Sequence, residues 1–290
     1  MEPYLVYNNL LAKRIITGLI LIPILIALIY WGKESIFLVI IMLVSSLALL
    51  EFVKINLSGK VSTEALVITS GLVVIWFINY YQEHLTFSAI DGMSCFITWS
   101  IALITLIAFI VLFIHLIFFP RNVILITKTL IAVIGIAYVS LFLSYLILIR
   151  GETNGRSWIF FILLVIWFVD SGAYAIGNML GKHQLCPLIS PKKTFEGALG
   201  GIAASLIAVF IAKIFFLKEL AIVHLIILAL GIAVTGQLGD LCESTFKRAN
   251  GLKDSGNILP GHGGMLDRID SLLFVAPFVY YYKLLILNYM

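Results

Sequence analysis

The stretch from Lys247 to Ser271, KRANGLKDSGNILPGHGGMLDRIDS, sets Lys247, Arg248, Lys253 and Arg268 beside Asp254, Asp267 and Asp270, around a turn of Pro260, Gly261, His262, Gly263 and Gly264. Glycine amides let a bound anion come close, and lysine and arginine neutralise phosphate charge. Just upstream, TGQLGDLCESTFKR spaces Asp240, Glu243, Ser244 and Lys247 at i, i+3, i+4 and i+7, which is one face of a helix. Asp267 and Asp270 share a helical face in the same way. Carboxylates from two elements, without paired cysteines or histidines, suit a hard cation such as magnesium that keeps its waters and binds substrate phosphates. The chemistry such a set serves is phosphoryl or nucleotidyl transfer, with cations offsetting charge as it moves to the leaving group. Neither a Walker pattern nor the kinase motif set occurs, so the familiar nucleotide folds are excluded.

Two further stretches belong with these. WFVDSGAYAIGNMLGKH carries Asp170 inside an apolar run, where an ionisable residue is a functional candidate by default, and Asp170, Tyr174 and Gly177 recur at helical spacing. The alternative is a structural carboxylate paired with a neighbouring helix. CPLISPKKTFEGALGG breaks the chain at Ser190 and Pro191, presents Lys192 and Lys193, and restarts a helix at Thr194, followed by Gly197, Gly200 and Gly201. Amides at a helix start with two ammonium groups form a phosphate site, although a basic loop beside a membrane also arises from topology alone.

The elements that must position these residues are membrane helices. Of 290 residues 62% are hydrophobic and 12% charged, and the mean hydropathy of +1.11 excludes a soluble domain. About nine apolar runs are long enough to cross a bilayer: 15–31, 35–53, 64–81, 95–119, 123–148, 157–178, 196–217, 220–245 and 270–288. Backbone amides in lipid must be satisfied within the segment, so an all-α polytopic membrane protein of about nine transmembrane helices is expected, and the alternation of a membrane barrel is absent. We read residues 1–290 as a single membrane-embedded domain, with 1–150 mostly scaffold and 157–290 catalytic helices and loops. Lysine and arginine favour the side holding the N-terminus and the loops after the second, fourth, sixth and eighth runs, which predicts those parts to be cytoplasmic. The first run follows Lys13 and Arg14 without a small-residue cleavage pattern and is read as an uncleaved helix. Cys95, Cys186 and Cys242 form neither a disulfide framework nor a zinc site. His115 and His224 are read as bonded to neighbouring helices, Lys128 as snorkelling and Pro23 as a kink.

The run STFKRANGLKDSGNILPGHGGMLDRID resembles the signature of the phosphatidate cytidylyltransferases, also called CDP-diacylglycerol synthases, at Ser244, Lys247, Arg248, Lys253, Asp254, Gly256, Pro260, His262, Gly263, Gly264, Asp267, Arg268 and Asp270. DSGAY, SPKKTFEG and GQLGDLCES are similar to further motifs of that family. The resemblance implies CTP and phosphatidic acid as substrates, and CDP-diacylglycerol and pyrophosphate as products. It implies magnesium on Asp240 and Asp267, and we expect a second cation to be shared with Asp270. Lys192, Lys193, Lys247 and Arg248 would hold triphosphate or lipid phosphate, and the His262–Gly264 turn the nucleotide phosphates. Lys253 and Arg268 would assist pyrophosphate departure, with Thr194, Ser244 and Asp170 also lining the substrate site. The expected setting is a bacterial cytoplasmic membrane, with the bilayer and a second copy of the chain as partners and no nucleic acid. Two other readings stay open: a CTP-dependent polyprenol kinase and an ion-coupled transporter. The transporter is disfavoured because the polar residues cluster at one face instead of lining the midplane.

Overall fold

A computed structural model of the chain describes residues 19–20, 22–57, 61–84, 123–258 and 263–287. The elements are α1 (Ile22–Trp31), α2 (Glu34–Leu57), α3 (Val61–His84), α4 (Val123–Gly135), a π-helical stretch Ile136–Leu141, α5 (Phe142–Gly151), α6 (Gly155–Leu180), strands β1 (Gln184–Cys186) and β2 (Ser190–Thr194), α7 (Phe195–Phe215), α8 (Ile222–Ala249) and α9 (Leu266–Tyr282), which ends in a π-helical turn Lys283–Leu287.

Among the described residues six stretches are long and apolar enough to span a bilayer: Glu34–Leu57, Leu130–Gly151, Gly155–Leu180, Phe195–Phe215, Ile222–Ala249 and Leu266–Leu287. The expected first and third runs correspond to shorter apolar helices, Ile22–Trp31 and Glu64–Tyr80, and the expected fourth, 95–119, lies outside the described residues along with Cys95 and His115. The all-α, multi-pass class therefore holds, and the count of nine is not established. The last helix starts at Leu266, earlier than hydropathy alone suggests, because Asp267 suits the first turn, where free amides favour a carboxylate.

One detail departs from an all-helical reading. The connection between α6 and α7 folds as a two-stranded antiparallel hairpin, pairing Gln184 with Thr194 and Cys186 with Ser190. Pro191 is tolerated because both strands of a lone hairpin are edges. Alternation along β2 sends Lys192 outward and Lys193 inward. Thr194 then caps α7 by accepting from the Gly197 amide at 3.1 Å. Glu196 in the first turn of α7 accepts from the Lys182 and His183 amides at 3.1 and 3.2 Å and from His183 Nδ1 at 2.6 Å, tying the hairpin's entry to its exit.

Helix association in lipid is driven by close packing of small residues, and α6 and α7 form the most extensive pair among the described helices. A Cβ on Gly172 would run into Ala204 and the Gly200 carbonyl, and one on Gly200 into Ile176. The pair α8 and α9 is next. There Gly231 makes room for the Phe278 ring and Gly239 for the Asp270 carbonyl, so the two backbones touch at the level of Asp240 and Asp270.

Loop 181–194, residues 250–258 and the end of α2 meet at one end of the bundle, joined by the Arg248 Nε to Ile189 carbonyl bond at 3.0 Å and the Asn250 to Asn56 bond at 3.1 Å. The other end is tied by Arg150 to the Gly32 carbonyl at 2.9 Å, Lys283 to Glu152 at 2.6 Å and His224 Nδ1 with the Tyr282 hydroxyl at 2.9 Å. His224 thus bonds a neighbouring helix, as expected from its place in an apolar run. Between the two ends, Tyr138 on the π-helical stretch packs against Phe52, Phe246 and Phe274, flooring the polar end with aromatic rings.

Gly172→Leu is expected to lower the unfolding temperature of the detergent-solubilised protein by at least about 3 °C, from an overpacking cost of about 1–3 kcal/mol. Ala203→Leu, on the exposed face of α7, should leave it unchanged in the same thermal scan.

Candidate active site

The charged residues at the polar end fall into two adjoining groups. In the first, Asp170 of α6, Asp240 of α8 and Asp270 of α9 act on one another as like charges, with Lys193 of β2 as their shared opposite charge and Arg268 acting on Asp170. Lys193 is ion-paired with Asp240. Ser244, one turn on, donates its hydroxyl to Asp240 Oδ1 at 3.4 Å, and Asp270 Oδ1 accepts from the Ser271 amide at 2.6 Å. Asp170 and Tyr174 stand on the exposed side of α6, Tyr174 at 74%. Three spanning helices and a strand therefore converge their charges on one place. The inward turn of Lys193 follows from strand alternation, and the Gly239 contact brings the α8 backbone against α9 beside Asp240.

The second group is denser. Lys247, 8% exposed, is ion-paired with Glu243, which is wholly buried, and donates to Asp267 Oδ1 at 2.7 Å. Asp267 also accepts from the Ser255 amide at 3.0 and 3.2 Å and from the Gly264 amide at 2.9 Å, so all four acceptor positions of the carboxylate are used. Ser255 Oγ in turn accepts from the Asp267 amide at 3.3 Å. Gly263 sits at φ +81°, in the left-handed region where glycine is favoured, which lets the chain turn into α9. Glu243 Oε1 has no hydrogen-bond partner among the described residues.

Of the residues singled out by sequence, Asp170, Asp240, Asp270 and Lys193 come together, and Lys247 joins Asp267. Asp240 and Asp267, expected to act as a pair, have no partner in common among the described residues. Arg248 spans two loops, from Nε to the Ile189 carbonyl and from an Nη to the Leu252 carbonyl at 2.7 Å. Lys192, Lys253 and Arg268 are exposed, Ser244 is buried, and Thr194 serves as the cap of α7. Gly264 is buried against Ser255 and Glu51. His262 lies outside the described residues. Among the described residues no three His, Cys, Asp or Glu side chains are grouped tightly enough to hold an ion as they stand.

Sequence reasoning passed over Glu51. This residue of α2 is 3% exposed and accepts from the Met265 amide at 3.0 Å, the Leu266 amide at 2.8 Å and the Ser255 hydroxyl at 2.9 Å. Its signal was an acid inside the apolar run LALLEFVK, the criterion that singled out Asp170.

A multi-pass helical bundle that gathers carboxylates, lysines and a glycine turn at one end is a membrane enzyme built for anionic substrates. The family is settled by comparison: the sequence model described as "Cytidylyltransferase family" matches residues 12–286, and the chain belongs to that family. It is 37% identical over 270 residues to the phosphatidate cytidylyltransferase of Bacillus subtilis strain 168, covering 93% of this chain and 96% of that protein. To the phosphatidate cytidylyltransferase of Staphylococcus haemolyticus strain JCSC1435 it is 35% identical over 264 residues, 91% of this chain and 95% of the relative.

Lys247→Met would leave Glu243 and Asp267 buried without their cation, and is expected to destabilise the protein by about 3–5 kcal/mol. The exposed Lys253→Met should stay within about 0.5 kcal/mol. Chemical denaturation in detergent, followed by tryptophan fluorescence, separates the two.

Proposed function

We propose that this chain transfers the cytidylyl group of CTP to the phosphate of phosphatidic acid, giving CDP-diacylglycerol and pyrophosphate in phospholipid synthesis. The observation that carries the reading is the convergence of Asp170, Asp240, Asp270 and Lys193 at one end of an apolar bundle, in a chain similar over nearly its whole length to proteins named for this reaction.

A phosphate oxygen of phosphatidate attacks the α-phosphorus of CTP. The bond from that phosphorus to the oxygen bridging to the β-phosphate breaks, and its electron pair leaves with pyrophosphate. The attacking oxygen is already ionised near neutral pH, so no side chain has to remove a proton. The obstacle is repulsion between two anions, and the chain's cations answer it. Lys193, now paired with Asp240, is placed to exchange that carboxylate for a substrate phosphate. Exposed Lys192, Lys253 and Arg268 surround the same end and would take the remaining phosphate charge. Arg248, by joining the hairpin to the loop after α8, holds these cations at a fixed separation.

Asp170, Asp240 and Asp270 would offer an all-oxygen donor set once drawn together; they share the Lys193 ammonium, with Arg268 acting on Asp170, and the remaining negative charge fits a divalent hard cation such as magnesium. Such an ion would polarise phosphate oxygens. Asp267 would join the set by exchanging one of its present donors, and a second cation would sit beside Asp270. The polar end is assigned to the cytoplasmic face, because CTP is water-soluble and the acyl chains of phosphatidate stay in the bilayer.

With purified protein, phosphatidate and CTP, label from the α-phosphate should enter the lipid and label from the γ-phosphate should not. The reverse pattern would make the protein a lipid kinase. Chelation of divalent ions should stop the reaction and magnesium should restore it. Asp240→Asn and Asp267→Asn are each expected to lower kcat at least about 100-fold with helical content intact. Either variant keeping more than about a tenth of the wild-type rate would remove its carboxylate from the metal assignment.

A further inference from the structure

The first turn of α9 has a deficiency that its own residues do not remedy. Met265, at the cap position, offers no side-chain acceptor; the Arg268 amide reaches the Met265 carbonyl at 3.0 Å, but the Met265 and Leu266 amides find no acceptor within the helix. Glu51 supplies the acceptors from α2, more than two hundred residues away in sequence, with Oε1 on the Met265 amide and Oε2 on the Leu266 amide and the Ser255 hydroxyl. The space is shaped to the carboxylate: a Cβ on Gly256 would run into Glu51 Oε1, and one on Gly264 into Ser255 Oγ and Glu51 Oε2. The contact is specific in chemistry as well as shape, because three neutral donors and a helix N-terminus favour an anion there.

What Glu51 holds leads on to charged residues of the candidate site. Ser255, fixed by Glu51 through its hydroxyl, presents its amide to both oxygens of Asp267, and Asp267 receives Lys247. From the proposed cytidylyl transfer and this chain of bonds, we infer that Glu51 is a positioning residue for the reaction. It acts through Ser255 and the first turn of α9 on Asp267 and Lys247. Its own oxygens are occupied by protein donors, so it does not ligate a metal or substrate. A displacement on the order of 1 Å in a group that acts on substrate can lower a rate about 100-fold. Glutamine at position 51 would keep the volume but offer a single acceptor oxygen and bring an NH2 group against amide donors.

The test is the steady-state kinetics of the full-length enzyme in detergent, for wild type, Glu51→Gln, Ser255→Ala and the double variant. Glu51→Gln should lower kcat at least about tenfold and raise the KM for CTP, while the KM for phosphatidate stays within about twofold. Ser255→Ala should lower kcat about three- to fivefold, and the double variant should be no slower than Glu51→Gln alone, because both act through one path. Hydrogen exchange in peptides covering 253–268 should quicken in Glu51→Gln and stay unchanged across α6 and α7. If Glu51→Gln does not accumulate folded, Gly256→Ala presses on the same carboxylate from the loop side and should lower kcat at least about fivefold. Wild-type kcat in Glu51→Gln or in Gly256→Ala, losses that multiply in the double variant, or equal rises in both KM values would overturn the role given to Glu51. A wild-type enzyme that makes no CDP-diacylglycerol would instead remove the reading of function on which the role depends.

Discussion

In a bundle bounded by lipid, an ionic side chain is tolerated only where another group of the chain answers it. Two carboxylates at the polar end meet that condition fully: Asp267 is saturated by one ammonium and two amides, and Glu51 by two amides and a hydroxyl. Asp170, Asp240 and Asp270 do not, since they act on one another as like charges and share Lys193 as their close cation. The division follows a physical line. Saturated charges hold the backbone in place, Asp267 binding from outside only by giving up one of its present donors, and the under-compensated ones retain the capacity to bind without such an exchange.

The opposite end makes that arrangement possible without taking part in it. Lys283 lies under the Trp158 ring at 4.4 Å and pairs with Glu152, and His224 is bonded to Tyr282. At 1.5 Å of rise per residue, these ties stand about 25 Å from Asp267 along α9. They fix the axial heights of α5, α6, α8 and α9. The glycine contacts between α6 and α7 and between α8 and α9 fix the distances. With heights and separations set, the position of Asp240 against Asp270 follows from helix geometry.

Much of this could be read from the sequence, for reasons that also explain what could not. An ionisable residue in or at the end of an apolar run stands out without any structure, as Asp170 and Asp240 do, and Asp270 stands out by its helical spacing from Asp267. Thr194 was legible as a helix start because capping is local, acting over three residues. The partners of each carboxylate were not, because they depend on how far one helix slides and turns against another, and that is set by Gly239 meeting a carbonyl and Gly172 meeting Ala204. Spacing along one chain carries no such information. Glu51 was missed for a different reason: its role exists only in relation to an uncapped helix start at Met265, and both halves of that relation must be seen together. The hairpin between α6 and α7 escaped notice because three and five residues are too few to display an alternating pattern.

The pairing of Lys193 with Asp240 has a consequence for how the proposed substrates and cation would bind. A phosphate that draws Lys193 away leaves Asp240 without its counter-charge, and a divalent cation on Asp240 releases Lys193 for phosphate. Each event makes the other more favourable, and because coupling between two binding free energies is reciprocal, neither can be the sole cause. The same exchange is open at Lys247 and Asp267, where Glu243 remains as the cation's second partner and keeps it from leaving the site altogether. The salt bridges at the polar end are thus a resting distribution of charge that a triphosphate and its counter-ion would rearrange together, on a frame held still by Glu51, Arg248 and the glycine contacts.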